Sequence, residues 1–210
     1  MKLLSIQIFS IDQPNKPPAI PVAQASDLSS FGFLQRSSVG EFLNFLSKTV
    51  AERTASGQRQ SVQENNHTAH SYFKPIDNLV GVIVTDSEYP TRVAFSLLNK
   101  LLEEFTQKIP KAKWKAAVDG SAGGTRPINL GFGTIDEYLV KYQDPKQADT
   151  ILKVQQELDE TKIVLHKTIE SVLERGEKLD NLVERSNALS SQSKMFYKTA
   201  KKQNSCCVIA

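Results

Sequence analysis

Leu165-His166-Lys167-Thr168-Ile169-Glu170-Ser171-Val172-Leu173-Glu174-Arg175-Gly176-Glu177-Lys178-Leu179-Asp180-Asn181-Leu182 decides how this chain is organised. Leu165, Thr168, Val172, Arg175, Leu179 and Leu182 recur three and four positions apart in alternation. The same spacing continues toward the N-terminus through Thr161, Leu158, Val154 and Ile151. Toward the C-terminus it continues through Ser186, Leu189, Ser193, Phe196, Ala200 and Gln203. A mean period of 3.5 residues is the heptad seam of a coiled coil, here sustained for roughly seven heptads without a stutter. As one helix it would reach roughly 80 Å. Off-seam positions are rich in Lys, Glu, Asp and Gln, so the other faces are solvated. Thr, Ser, Ala and Gln on the seam pack poorly in a self-zipped dimer and suit layers shared with larger side chains from other chains. Without them, this half is expected to be largely unfolded or transiently helical.

Arg175 is the one charge on the seam, with Val172 before it and Leu179 after it. Taken alone, such an arginine lays its stem along the surface and its head in water, because an unpaired buried ion costs several kcal/mol. The unbroken seam on both sides favours a second role, a buried guanidinium that fixes register. Its donors would have to be met within the seam, and any slipped pairing would leave them unmet. The stretch Gln155 to Ala188, with Glu160-Thr161-Lys162 and Val172-Leu173-Glu174-Arg175-Gly176-Glu177-Lys178-Leu179, resembles the fusion motif of synaptobrevin-like R-SNAREs. That resemblance implies a parallel four-helix bundle with three Q-SNARE helices, syntaxin-like and other Q-type. Arg175 would be its central layer and the other seam residues its stacked layers.

The chain ends Cys206-Cys207-Val208-Ile209-Ala210, the order Cys-aliphatic-aliphatic-Ala that marks prenylation of Cys207, with Ala favouring farnesyl. One lipid chain binds a membrane marginally and two bind it stably, so Cys206 is placed to carry a second. Lys194, Lys198, Lys201 and Lys202 add cations beside that end. No run of about 18 apolar residues exists, so membrane attachment is expected to be covalent or interfacial.

The N-terminal half has a different grammar. Leu4, Ile6 and Ile8 alternate with Ser5 and Gln7 as in a half-buried strand, and after a turn rich in proline Ile20 to Leu28 returns as an edge strand. Ser38-Val39-Gly40-Glu41 fits a capping box opening a helix that carries Val39, Phe42, Leu43, Leu46 and Val50 through about Arg53. Ser61–Glu64, His70–Lys74 and Leu79–Thr85 read as strands, the last nearly all apolar and so central. A helix with Val93, Leu97, Leu98, Leu101, Leu102 and Phe105 follows Pro90 and stops before Pro110. Asp119 to Gly133 reads as a glycine-rich loop, and Thr134 to Tyr142 as a short closing helix.

Met1-Lys2-Leu3-Leu4, Phe31-Gly32-Phe33, Arg36-Ser37-Ser38-Val39-Gly40 and Thr85-Asp86-Ser87-Glu88-Tyr89-Pro90 are similar to the longin domain of prenylated, lipid-anchored R-SNAREs that lack a transmembrane helix. The resemblance implies an α+β, profilin-like longin domain: a five-stranded antiparallel sheet and three helices, followed by a long coiled-coil SNARE helix. It implies farnesyl and carboxymethyl groups on Cys207 after removal of Val208–Ala210, and palmitate or a second prenyl group on Cys206. It further implies that the longin domain folds back on the fusion helix and shields the lipid. Phe42 is the candidate for that contact, although its helical spacing is equally that of a core residue. The glycine-rich Gly120 to Gly133 departs from the family pattern.

The expected organisation is a longin domain over 1–140, a linker over 141–150, the R-SNARE motif over 151–203 and a lipidated tail over 204–210. Vesicle docking and fusion in ER–Golgi, intra-Golgi and endosomal or vacuolar traffic is the implied function, from the cytoplasm and from the cytoplasmic face of those membranes. A lipid-anchored coiled-coil tether without fusion activity is the alternative. An enzyme is not expected. Gly131-Phe132-Gly133 lacks the third glycine of a dinucleotide loop, Gly120-Ser121-Ala122-Gly123-Gly124 has no Gly-Lys-Ser/Thr ending, and no serine sits in a nucleophile elbow. His67 and His70 have no companion metal ligands, so neither a metal nor a cofactor beyond covalent lipid is expected. Basic residues exceed acidic ones by 26 to 23, too small and too evenly spread a surplus for a nucleic-acid surface.

Overall fold

The computed structural model describes residues 2–11, 18–121, 128, 130–145 and 162–205, with side chains through Lys202. One sheet organises them. β1 (Leu3–Ser10), β2 (Ile20–Ser26), β3 (Arg59–Glu64), β4 (His67–Lys74), β5 (Leu79–Asp86) and β6 (Ile163–His166) lie in the order β2-β1-β5-β4-β3-β6. All neighbours are antiparallel except β3 and β6, which run parallel. The first five strands form the expected antiparallel sheet. The sixth comes from the seam half of the chain and extends it on the β3 edge.

Helix α1 (Arg36–Glu52) covers one face, and α2 (Thr91–Lys108), α3 (Lys111–Asp119) and α4 (Thr134–Lys141) cover the other. Being covered on both faces, β1 is buried at every position, so Ser5 and Gln7 do not face water as alternation predicts. A register shift between Leu3 and Ser5 turns Leu4 toward α1 while Leu3, Ile6 and Ile8 face α2, which separates Leu4 from the residues expected beside it. Gln7 is satisfied instead by donating to Asn44 Oδ1 at 2.7 Å. β5 is central and almost wholly buried, and α2 approaches it so closely that a Cβ on Gly81 would lie 2.7 Å from Leu98 Cδ2.

Pro110 both ends α2 and begins the next helix. It holds Ile109 extended (φ −114°, ψ 110°) and then leads into α3, which buries Trp114 and Val118 where the sequence reading placed only loop. The N-terminal half therefore has, among the described residues, one more helix than expected. Ser38 and Glu41 form no capping box: α1 begins earlier, at Arg36, and Ser38 is buried inside it.

The seam half is not one long helix in this state. Its described part runs through β6, a 3-10 turn (Ile169–Val172), α5 (Leu179–Arg185) and α6 (Ser191–Ser205). That described part is folded, because β3 and α1 offer it both a strand edge and an apolar surface.

His70, on β4, is buried between Ser61 Oγ (2.8 Å to Nδ1) and Thr85 Oγ1 (3.4 Å to Nε2), with its ring edge-on to Phe95. Burial alone holds its pKa down to about 4, against 6.5 when free. The unfolded chain then binds more protons between these values, so this histidine's contribution to stability is intact above about pH 6.5 and is lost as pH falls toward 4. The unfolding midpoint in denaturant should fall between pH 7 and pH 5, and His70→Gln should flatten that slope.

Candidate functional site

Helix α1 has two apolar flanks. Val39, Leu43, Leu46 and Val50 point to the sheet and pack with Leu4, Val62, Ala69 and Val84. Phe42 and Phe45 project beside them, too far round the helix to reach the sheet, and would be left in water without a second layer. Residues 162–205 are that layer. Ile169, Leu179, Val183 and Leu189 are buried in the same cluster, with Val172, Leu173, Phe196 and Tyr197 partly buried against it. The Phe42 ring stacks on Tyr197 with centroids 5.3 Å apart.

Polar contacts punctuate the path of the segment. Ile163 pairs with Arg59 where the chain joins the sheet. The Ile169 amide donates to Glu64 Oε2 at 3.1 Å. Arg53, just beyond α1, donates to Glu177 Oε2 at 2.8 Å, and this hydrogen bond is the main cause of a Glu177 pKa below the ordinary range. Lys201 of α6 pairs with Asp180 of α5 at 2.6 Å, Tyr197 donates to the same carboxylate, and Lys198 pairs with Glu184. These last contacts clamp α5 to α6.

Glu41 makes the link that no sequence reading foresaw. Ser190 is the N-cap of α6: its hydroxyl accepts from the Ser193 amide at 3.2 Å and its carbonyl accepts from the Lys194 amide. Glu41 Oε2 then accepts from the Ser190 amide at 2.9 Å and from the Ser193 hydroxyl at 2.7 Å. In a capping box the carboxylate that reaches the N-cap amide belongs to the same helix. Here it comes from α1, across the interface. Burial pushes the Glu41 carboxyl up, but the Ser190 amide and the Ser193 and Ser190 hydroxyls outweigh it and leave the pKa below the ordinary value.

The expected seam positions fare unevenly in this arrangement. Leu179, Leu189 and Ser193 are buried, and Val172, Leu182, Ser186, Phe196 and Ala200 are half-buried. Leu165 is 72% exposed and Thr168 is also exposed. Arg175 is in no layer: it stands exposed in a turn with Gly176. Conversely Ile169 and Val183, both off the seam, are only 1% exposed. Ile151, Val154, Leu158, Thr161, Cys206 and Cys207 lie outside the described residues, as does the side chain of Gln203. Ile169 and Val183 are apolar residues that the heptad pattern leaves unexplained, and these pack into the cluster formed by α1 and the sheet. Gly176, a helix breaker amid strong helix formers, was the other legible signal.

Between α1, the β3–β4 turn and the folded-back segment lies a cavity of about 600 Å³, lined by Phe42, Leu46, Val62, Ile169, Phe196 and Ala200 among others. Among the described residues no cluster could hold a metal ion, and no helix is long and apolar enough to cross a membrane.

An α+β domain bearing its own coiled-coil segment, seated on the first helix and on an open sheet edge, defines a longin-domain SNARE. Family profiles agree. The Longin family, a regulated-SNARE-like domain, matches residues 28–128, and the Synaptobrevin family matches residues 150–208. The synaptobrevin homolog ykt6 of Schizosaccharomyces pombe is 60% identical over 210 residues, all of both chains. That of Yarrowia lipolytica is 56% identical over 209 residues, again the whole of both. The Saccharomyces cerevisiae homolog is 54% identical over 191 residues, 91% of this chain and 92% of that one. The chain belongs to the ykt6 family of synaptobrevin homologs, longin-domain R-SNAREs of vesicle traffic that are not enzymes.

Removing the Glu41 carboxylate with Glu41→Ala should cost the fold-back roughly 1–2 kcal/mol, the scale of charge-assisted hydrogen bonds near solvent. Hydrogen exchange of the α6 amides should then accelerate while the β1 and β5 amides keep wild-type protection. In the wild type the same release is expected on acidification. A carboxylate with a depressed pKa contributes its stability above the unfolded value, about 4.3, and loses it as pH falls through the folded one.

Proposed function

We propose that this R-SNARE drives fusion by zippering its seam, centred on Arg175, with three glutamine-type Q-SNARE helices on an opposing membrane. The observation that carries this reading is the unbroken heptad spacing from Ile151 to Gln203 with a single arginine at its middle. Its chemistry fits three amide partners. Each can offer a carbonyl oxygen to a guanidinium that has five donors, and in a dry layer that satisfaction exists in one register only. Seam residues Leu179, Leu189 and Ser193 cannot face the longin domain and a partner bundle together, so the folded-back state is the resting state and zippering requires its release.

The anchor is proposed to be farnesyl on a carboxymethylated Cys207, with palmitate or a second prenyl group on Cys206. Lys194, Lys198, Lys201 and Lys202 would add attraction to an anionic leaflet. In the resting state a single isoprenoid would lie in the 600 Å³ cavity, whose volume and apolar walls suit a ligand of that size, and the protein would then stay in the cytoplasm. In the released state it would bind the cytoplasmic faces of Golgi, vesicle and endosomal or vacuolar membranes.

Mixing the full chain with candidate glutamine-type helices should yield a stable four-chain helical complex; its absence with every set would sink the proposal. Arg175→Leu strands the partners' amides, at ~1–3 kcal/mol for each buried group left unpaired, so the complex should melt at a lower temperature. A simple self-zipped dimer would instead be tightened by that change. Mass spectrometry of the C-terminal peptide from cells should find Cys207 prenylated, and an unmodified thiol there removes the anchor.

A further inference from the structure

The route between the 3-10 turn and α5 turns on one residue. Leu173 and Lys178 are extended (φ −76°, ψ 160° and φ −127°, ψ 144°), conformations open to any residue. Between them the chain makes a tight turn, closed by the Glu177 amide donating to the Glu174 carbonyl at 2.9 Å, and Gly176 carries φ +89°. L-residues rarely enter that region, because the Cβ crowds the backbone. Space is not the reason for a glycine here: a Cβ on Gly176 would meet nothing within 4 Å. Only the backbone conformation asks for it.

The zippered state asks for the opposite. In a continuous helix position 176 lies off the seam, next to Arg175, and glycine there weakens the helix about 4- to 5-fold relative to alanine. The two conformations thus select different residues at this position, and the chain carries the one that suits the fold-back. The Arg53–Glu177 ion pair, with the Glu174 amide donating to the same carboxylate oxygen at 3.2 Å, holds the turn closed from the next residue.

We infer that Gly176 is the conformational hinge of this protein: its left-handed backbone, held by Arg53 through Glu177, permits the break at the central arginine, and its identity sets the balance between fold-back and continuous helix. The inference deepens the fusion reading above and rests on it for two points, that a continuous helix runs through position 176 and that release precedes zippering.

The test uses the full chain with Gly176→Ala and Gly176→Asn, asparagine being the L-residue most tolerant of left-handed backbone. Alanine should raise hydrogen exchange of the Leu179–Arg185 and Ser191–Ser205 amides on the order of 5- to 30-fold, the factor that corresponds to forcing one such residue left-handed. Asparagine should raise it less, and the longin core should melt as in the wild type. Alanine should also speed assembly with three glutamine-type helices. Wild-type exchange in the alanine variant, or equal opening by alanine and asparagine, overturns the hinge. Faster exchange without faster assembly supports the hinge and refutes the reading of the fold-back as a brake.

Discussion

A single helix cannot bury two apolar flanks against one sheet. Much of this protein follows from that constraint on α1. The flank built from Val39, Leu43, Leu46 and Val50 completes the longin core, and the flank built from Phe42 and Phe45 needs another layer. The same chain supplies it. Ile169, Leu179, Val183 and Leu189 close over α1, and the edge of β3 is covered at the same time by β6, so that one segment removes both an apolar face and an open strand edge from water.

If the seam also zippers as proposed, the segment meets two incompatible demands by dividing its residues between them. Heptad positions such as Leu165 and Arg175 are left on the outside in the fold-back, while off-seam Ile169 and Val183 carry much of its burial. Leu179, Leu189 and Ser193 are seam positions that are also buried in the fold-back, so under the proposed zippering they would serve on both sides. Under that proposal a small shared set would decide between longin domain and partner bundle. A modest difference in free energy can move such a two-state element.

Polar contacts hold the interface at discrete points rather than along its length. Glu41 caps α6 from outside, Arg53 holds the turn at Glu177, and Lys201, Tyr197 and Lys198 tie α6 to α5. Most of these groups stay in reach of solvent, where an ion pair contributes little and salt weakens it further. Such contacts can direct the chain along its path without locking it there.

The amino-acid sequence by itself determined the longin sheet and its principal helices, the seam, and the terminal cysteines, because period-two and heptad patterns and proline stops are local properties that survive any tertiary arrangement. It could not show which surface the seam half rests on. The Ser38–Glu41 spacing looked like a local cap, but Glu41 was recruited by Ser190 and Ser193, residues adjacent only in the fold. Likewise the heptads favour one helix through Arg175, whereas the tertiary structure puts there a strand, a 3-10 turn and a turn at Gly176. The physical reason is that helix propensity contributes less than about 1 kcal/mol per position, whereas burial of a Leu, Ile or Val side chain against α1 contributes roughly 1.5–3 kcal/mol. Where both cannot be had, packing decides.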